Sequence, residues 1–371
     1  MVQVFLSTGK ARGLAMASLL TALVFLAAQP LEAGSRGKTA AAPAESWVLS
    51  LEGGRSLTWE RNFSRDTDAK PAKSFLVKVF DFIAGAPDPR FLVNPYSVAT
   101  DSRGRVLITD PGAQAIHIFD FAQHKYKLVR HLSRDGMGKH DLNTPQCIAV
   151  DAADNFYVTD SGAGVIFVFG PNGKYLREIG QLKGGEGFFK RPTGIAVDSV
   201  GQRIYVSDTL KDKIYVLDMQ GTVVGSIGKT GVGEGEFNLP TELRLAGGKL
   251  LVVDAMNFRV QAFDLTGKFL YSFGKLGDGV GSFFRPKAMG IDSEGHVYVV
   301  DSMWGLVQVF DEQGRLLYHF GERGTHAGEF QLPTGLTIDR TDQVYVVDSF
   351  NHRVQVFQYK GIAKAGGEVA R

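Results

Sequence analysis

VYVVDSFNHRVQVF, residues 344–357, is nearly repeated by VYVVDSMWGLVQVF at 297–310 and by LLVVDAMNFRVQAF at 250–263. Its flanks are short β-branched and aromatic runs, the composition of strands, while the middle changes from copy to copy. Extended along the chain, the phrase occurs six times. Each copy opens on a proline, Pro95, Pro145, Pro192, Pro240, Pro286 and Pro333, at spacings of 50, 47, 48, 46 and 47 residues. Each carries an aspartate closing its second run: Asp110, Asp160, Asp208, Asp254, Asp301 and Asp348. Nine residues further on stands Phe119, Phe169, Leu217, Phe263, Phe310 or Phe357, with no gap in any copy. One structural unit is used six times.

The unit is β. Four runs fit in each copy; after Pro286 they are MGID, VYVV, LVQVF and LLYHFG, separated by turn residues. A period near 47 with four short strands is that of propeller blades, whereas helical arrays of similar period carry a 3.6-residue pattern. Six blades closed into a ring protect the sheet edges that an open stack would expose. The sixth copy runs out after its third strand, because GIAKAGGEVAR at 361–371 has little strand character. SLTWERNF at 56–63 is the candidate for the missing fourth strand. SFLVKVFDFI at 74–83 then reads as a short amphipathic helix or a strand.

Between blades stands a G-x-F-x-x-P signature: Gly187-Phe189-Pro192, Gly235-Phe237-Pro240, Gly281-Phe283-Pro286 and Gly328-Phe330-Pro333. With the D-S-x-N-H-R-V run at 348–354, it resembles the NHL repeat. The resemblance covers about residues 56–359 and implies an exported bacterial all-β protein. That fold is a six-bladed β-propeller of four-stranded antiparallel blades, its ring closed by an N-terminal strand. Blade 1 lacks the Gly/Phe signature and Leu142 replaces the Phe before blade 2, so irregular joints are expected there.

The bulk numbers suit this reading. In 371 residues, 44% are hydrophobic and 22% charged, values ordinary for a globular chain, and 45 glycines call for many tight turns. A formal net charge of +2 does not call for nucleic acid as partner. Lys10 and Arg12 precede an apolar stretch, GLAMASLLTALVFLAA at 13–28, and small residues flank a cleavage point after Ala33. Residues 1–33 thus read as a signal peptide, leaving no membrane span once removed; an uncleaved anchor is the competing reading. The expected division is signal 1–33, an N-terminal strap 34–90, the propeller 91–360 and a tail 361–371. Export places the protein in the periplasm or outside the cell. The single cysteine, Cys147, excludes an intramolecular disulfide, Cys-rich zinc sites and covalent haem attachment.

Function is expected where the copies differ. The G-x-F-x-x-P residues and the six aspartates read as structural: a carboxylate closing a strand can accept hydrogen bonds from loop N–H groups, and Arg259 and Arg353 can pair with it. In the variable middle, blades 1 and 2 carry only Gly112, Ala113, Gly162 and Ala163, whereas blades 3 to 6 raise a rim with Met256, Phe258, Met303, Trp304 and Phe350. Phe188 and Phe284 join it from the loops leading into blades 3 and 5, beside Arg191 and Arg285. This is the composition of a protein-binding crescent, with Trp304 as the expected anchor; the alternative is that these side chains fold inward over the joints.

Blade 4 breaks the symmetry once more. Glu242 and Arg244 stand where other blades hold small residues such as Cys147, Gly194, Ala196 and Gly290, and alternation puts both beside the central channel. An ion pair filling space and a polar ligand site at the channel mouth are both open readings. His131 and His140 share the joint before blade 2 with Asp135 and Asp141, without HxH or HExxH spacing, so no metal ligands and no cofactor are assigned. Some NHL propellers are amidating lyases holding zinc through histidines from several blades, but this sequence has no symmetry-matched set; others bind RNA by a basic face, which the charge does not support. No catalytic residue is assigned. The expected function is a protein-binding or scaffolding module of the cell envelope, with membrane or redox complexes among its candidate partners. A lyase or hydrolase acting at the channel mouth is the alternative.

Overall fold

The computed structural model describes residues 47–71, 90–132 and 140–361. The chain divides into two compact units, 1–45 and 46–371, and all described structure lies in the second. The signal segment, the run at 74–83 and the tail beyond 361 fall outside the described residues.

Six antiparallel sheets follow one another along the chain. Blade 3 shows the plan: Pro192–Asp198 innermost, then Arg203–Asp208, Lys213–Asp218 and Val223–Ile227 outward in chain order. The innermost strands neighbour one another around the whole ring, blade 6 against blade 1 included. They pass so closely that some positions tolerate no side chain: a Cβ on Gly194 would come within 2.0 Å of the Thr241 carbonyl oxygen.

Closure follows the expectation. Ser56–Phe63 pairs antiparallel with Arg353–Lys360 and supplies the fourth strand of blade 6, with a bulge between Trp59 and Arg61. Trp59 Nε1 donates to Gln355 Oε1 at 3.0 Å. A short fifth strand, Val48–Ser50, lies outside it and was not foreseen. Trp47 beside it sets its ring edge-on to Phe357.

Apolar clusters sit between blades, not inside them. One joins Ala196, Tyr205 and Ile214 of blade 3 to Leu243, Val252 and Phe263 of blade 4, with Phe237 from the joint. The G-x-F phenylalanines Phe189, Phe237, Phe283 and Phe330 are all buried. Each niche needs the glycine that ends the preceding fourth strand. At Gly228, φ is +80°, and an added Cβ would lie 2.2 Å from the Phe237 ring. The joint before blade 2 differs as expected: His131–Leu132 pairs with His140–Asp141 as a two-residue ribbon, and buried Leu142 replaces the aromatic.

Phe63 carries the closing strand onto blade 1, its ring 4.8 Å from Phe119 and 5.0 Å from Phe121. Phe63→Ala should therefore cost about 3–5 kcal/mol, read as a lower urea midpoint. Leu317→Ala, on the half-exposed outer strand of blade 5, should shift stability by no more than about 0.5 kcal/mol.

Candidate functional site

The upper face, where the lead-in loops and the turns between second and third strands emerge, is organised by the six aspartates, all fully buried. Asp110 accepts from the backbone N–H of Val93 and Asn94 in the lead-in loop and of Ala113 in the turn, at 2.7–2.9 Å. Asp160 holds Asn143, Thr144, Gly162 and Ala163 in the same way. In blades 4 and 6 the side chains of Asn257 with Arg259, and of Asn351 with Arg353, replace part of the backbone set. The arginine pairings anticipated from sequence are made within the same blade.

Two further features of these turns were missed. Gln261, Gln308 and Gln355, seven residues after the aspartate, reach back into the lead-in loop. Each accepts from the signature glycine N–H and donates to a loop carbonyl. The recurring Q in V-Q-V-F and V-Q-A-F was the available signal. The residue four after each aspartate is also left-handed in all six turns: Gln114, Gly164, Asp212, Phe258, Gly305 and His352 have φ between +49° and +68°.

With the turns fixed, the side chains two places after the aspartate stand at their tips. Leu210, Met256 and Phe350 are exposed, Phe350 by 61%, and Phe284 is 49% exposed on the lead-in loop of blade 5. Met303 and Trp304 are half-buried, the Trp304 ring edge-on to Phe284 at 6.4 Å. Phe258, turned by its positive φ, packs against the core between blades 4 and 5. Phe188 packs on Phe189 and Tyr215, with the Lys211 ammonium 4.9 Å from its ring centre. Arg191 and Arg285 are exposed. The exposed aromatic of the rim is thus Phe350, with Phe284, instead of Trp304.

The channel is filled by layers of polar groups. Uppermost, the Lys287 ammonium lies 5.8 Å from the centre of the Tyr96 ring. Burial and then the neighbouring Arg285 and Arg191 charges push its pKa down to about 8. Burial, with the Cys147 and Glu242 groups below, raises the Tyr96 phenol. In the next layer the Cys147 thiol donates across the channel to Glu242 Oε2 at 3.1 Å. Burial, then the adjacent carboxylate, pushes the Cys147 thiol well up. Burial also raises the Glu242 carboxyl, against the pull of Arg244.

Arg244 forms the third layer. Its Nη1 is 2.9 Å from Glu242 Oε1, an ion contact out of line with a hydrogen bond. Its Nε and Nη2 donate to the carbonyls of Met289 and Leu336 in blades 5 and 6. Below it the channel opens to the lower face as a cavity of about 540 Å³, with Asp101, Asp151 and Asp339 at its edge. Arg244 floors that cavity, while Glu242 is sealed above it at 3% exposure. At the ribbon before blade 2, His131 Nδ1 is 2.6 Å from Asp141 Oδ1 on the surface. No group of three or more His, Cys, Asp or Glu placed to hold a metal occurs among the described residues.

Residues 330–357 match the NHL repeat model, and residues 239–307 match a family described as 6-bladed beta-propeller. The chain is a six-bladed propeller with an NHL repeat in its last blade. No curated protein matches it in sequence. Among solved structures it is similar to a gluconolactonase from Xanthomonas campestris, at 14% identity and TM-score 0.56, over 84% of this chain and 92% of that one. It is also similar to an auxiliary nutrient binding protein from Bacteroides thetaiotaomicron, at 13% identity and TM-score 0.55, over 74% and 70% of the two chains. A catalytically inactive virginiamycin B lyase from Staphylococcus aureus with quinupristin matches at 14% and 0.52, over 74% and 86%. At such identities the likeness is one of fold.

Arg244→Ala leaves the buried Glu242 carboxylate without its cation and should cost about 3–5 kcal/mol. Protonation relieves an unpaired buried carboxylate, so the variant binds a proton more readily folded than unfolded and regains stability as pH falls. Thermal melts at about pH 5 and about pH 7.5 should show the larger deficit at the higher pH. The double variant Glu242→Ala, Arg244→Ala should lose less than the two single losses summed.

Proposed function

We propose that this propeller is an exported binding module whose upper face docks a protein partner in the cell envelope. The observation that carries the reading is the rim: Leu210, Met256, Phe284 and Phe350 expose apolar surface from the loops of blades 3 to 6, while the turn tips of blades 1 and 2 carry glycine and alanine and blade 1 exposes Val93 from its lead-in loop. Large apolar side chains held on rigid turn tips lose little entropy on binding and suit an interface centre. Arg191 and Arg285 beside them supply polar contacts at its edge. The turns are held by buried carboxylates, so the face meets a partner largely preformed.

Export rests on the basic and apolar pattern of residues 10–33. No helix among the described residues is long and apolar enough to cross a membrane. Membrane or redox complexes of the envelope remain the candidate partners. Cys147, Glu242 and Arg244 in the channel below are engaged with one another and with backbone carbonyls, which favours the rim over the channel interior as the functional surface.

The test is a cross-linking pull-down from envelope extract with residues 34–371 as bait, beside the same bait carrying Met256→Ala, Phe284→Ala and Phe350→Ala. A discrete partner should be captured by the first, and its yield should fall at least about tenfold with the second, as expected for loss of interface hot spots. Equal melting temperatures of the two baits exclude unfolding as the cause. A partner held equally by both would overturn the reading.

A further inference from the structure

Three cations meet at the upper end of the channel, and none has an anion. Lys287 comes from the innermost strand of blade 5 and Arg285 from the loop before it, while Arg191 leads into blade 3. Arg191 and Arg285 each stand directly before the proline that opens an innermost strand, and their charges help to lower the Lys287 pKa. Among the described residues, no ion pair and no side-chain hydrogen bond engages Lys287, Arg191 or Arg285. Arg244, Arg259 and Arg353, by contrast, are each paired: Arg244 with Glu242 and two carbonyls, Arg259 with Asp254, Arg353 with Asp348. A half-buried ammonium beside like charges and without a counter-ion is disfavoured until an anion joins it.

The surroundings narrow the chemistry. The Tyr96 ring lies beside the ammonium, and the exposed Phe284 is next to Arg285 in the chain. An inorganic anion has nothing to place on these apolar surfaces, whereas an organic acid has. Glu242 closes the channel beneath, so the anion must sit at the mouth and its body must turn outward onto the rim. Arginine forks and a lysine point charge together match a carboxylate.

We propose that the upper channel mouth, formed by Lys287, Arg191, Arg285 and the Tyr96 ring, binds a carboxylate carried on an apolar body. The site deepens the reading of the upper face as the binding face. The acid comes either free, as a small organic acid, or on a partner, as a chain terminus or acidic side chain next to an apolar residue. Lys287 must be protonated to contribute. The groups facing it are Arg285, Arg191, Tyr96 and Cys147; the phenol and thiol are held up by burial and stay neutral as Lys287 titrates. Binding should therefore weaken as pH rises through about 8. Stability moves the other way: folding depresses the Lys287 pKa, the unfolded chain binds more protons between about 8 and the ordinary lysine value, and Lys287's contribution to stability rises with pH there.

The experiment is calorimetric titration with N-acetylphenylalanine, its neutral amide, and inorganic phosphate. The acid should bind at least about tenfold more tightly than the amide or phosphate, the scale of one charge-assisted contact. Lys287→Gln and Arg285→Gln should each weaken it at least about fivefold, and affinity should fall as pH rises through about 8 and level off near the Lys287→Gln value. The Lys287→Gln variant should fold, with melting curves checking it. Equal binding of acid and amide, or an affinity unmoved by Lys287→Gln and Arg191→Gln, overturns the proposal. Phosphate as tight as the acid overturns the apolar-body part. The pull-down above separates the sources: capture blocked by N-acetylphenylalanine places the carboxylate on the partner, and capture unaffected by it while the acid still binds assigns the site to a free acid. An empty pull-down with the acid still bound sinks the docking reading and leaves the carboxylate site standing.

Discussion

Six buried carboxylates hold the upper face in place. An aspartate sealed from water is tolerated only if hydrogen-bond donors replace its hydration. Here the donors are the backbone N–H groups of two loops that would otherwise end unsatisfied. The same bonds that satisfy the charge tie the lead-in loop to the next turn, so position and solvation have one cause. Blades 1, 4 and 6 meet the requirement differently. Asp110 takes three backbone N–H groups and a contact from His117, and although burial pushes its carboxyl up, those bonds bring it below the ordinary value. Asp254 and Asp348 take one lead-in N–H each and depend on side chains for the rest; there burial prevails and the carboxyls are raised. In both blades the residue before the proline, Leu239 or Leu332, has moved to a left-handed φ. In blade 4 its N–H then serves Asp212 of the preceding turn instead.

Once the latches carry the loops, the turn tips are released from structural duty. That is why tips differ while the frame repeats. Gly112 and Gly162 crowd against the side chains of Asn94 and Asn143 below them, and a Cβ there would lie at 2.7 and 2.5 Å. The turns of blades 4 and 6 instead form short 3-10 segments, Ala255–Asn257 and Ser349–Asn351, that lift Met256 and Phe350 into solvent. The asymmetry of the face is a difference in turn geometry written by one or two residues per blade.

Most of the fold was legible because repetition makes weak signals add: six aligned prolines and aspartates, with five phenylalanines and one leucine nine residues on, fix strand order and register where one copy would not. Ring closure was legible by counting, since the sixth copy lacked a strand and 56–63 could supply it. The strand at Val48–Ser50 was not, because three residues carry no periodicity. At the face, the positions were legible but the directions of the side chains were not. Phe258 and Trp304 read as exposed from spacing, yet Phe258 sits at φ +55° and Trp304 leans on Phe284. Sequence alternation does not report a left-handed residue that carries a large side chain. Thr109, Thr159 and Ser207 were passed over as strand residues; each donates to the carbonyl of the next innermost strand, where blades 4 to 6 have valine.

The channel shows what one altered blade does to a symmetric ring. Small residues at equivalent places in five blades leave space on the axis, and blade 4 fills it with Glu242 and Arg244. A lone carboxylate there would be untenable, so Arg244 follows two residues later on the same side of the strand. Its remaining donors reach Met289 and Leu336 carbonyls in two other blades, binding half the ring to one side chain. The Cys147 thiol of blade 2 donates to the other carboxylate oxygen, so Glu242 is engaged from below by an ion contact and from across the channel by a hydrogen bond. No ion pair joins it to Lys287 above. The positive charge at the upper mouth is therefore left unanswered by the very pair that plugs the channel, and it faces the same side as the exposed rim.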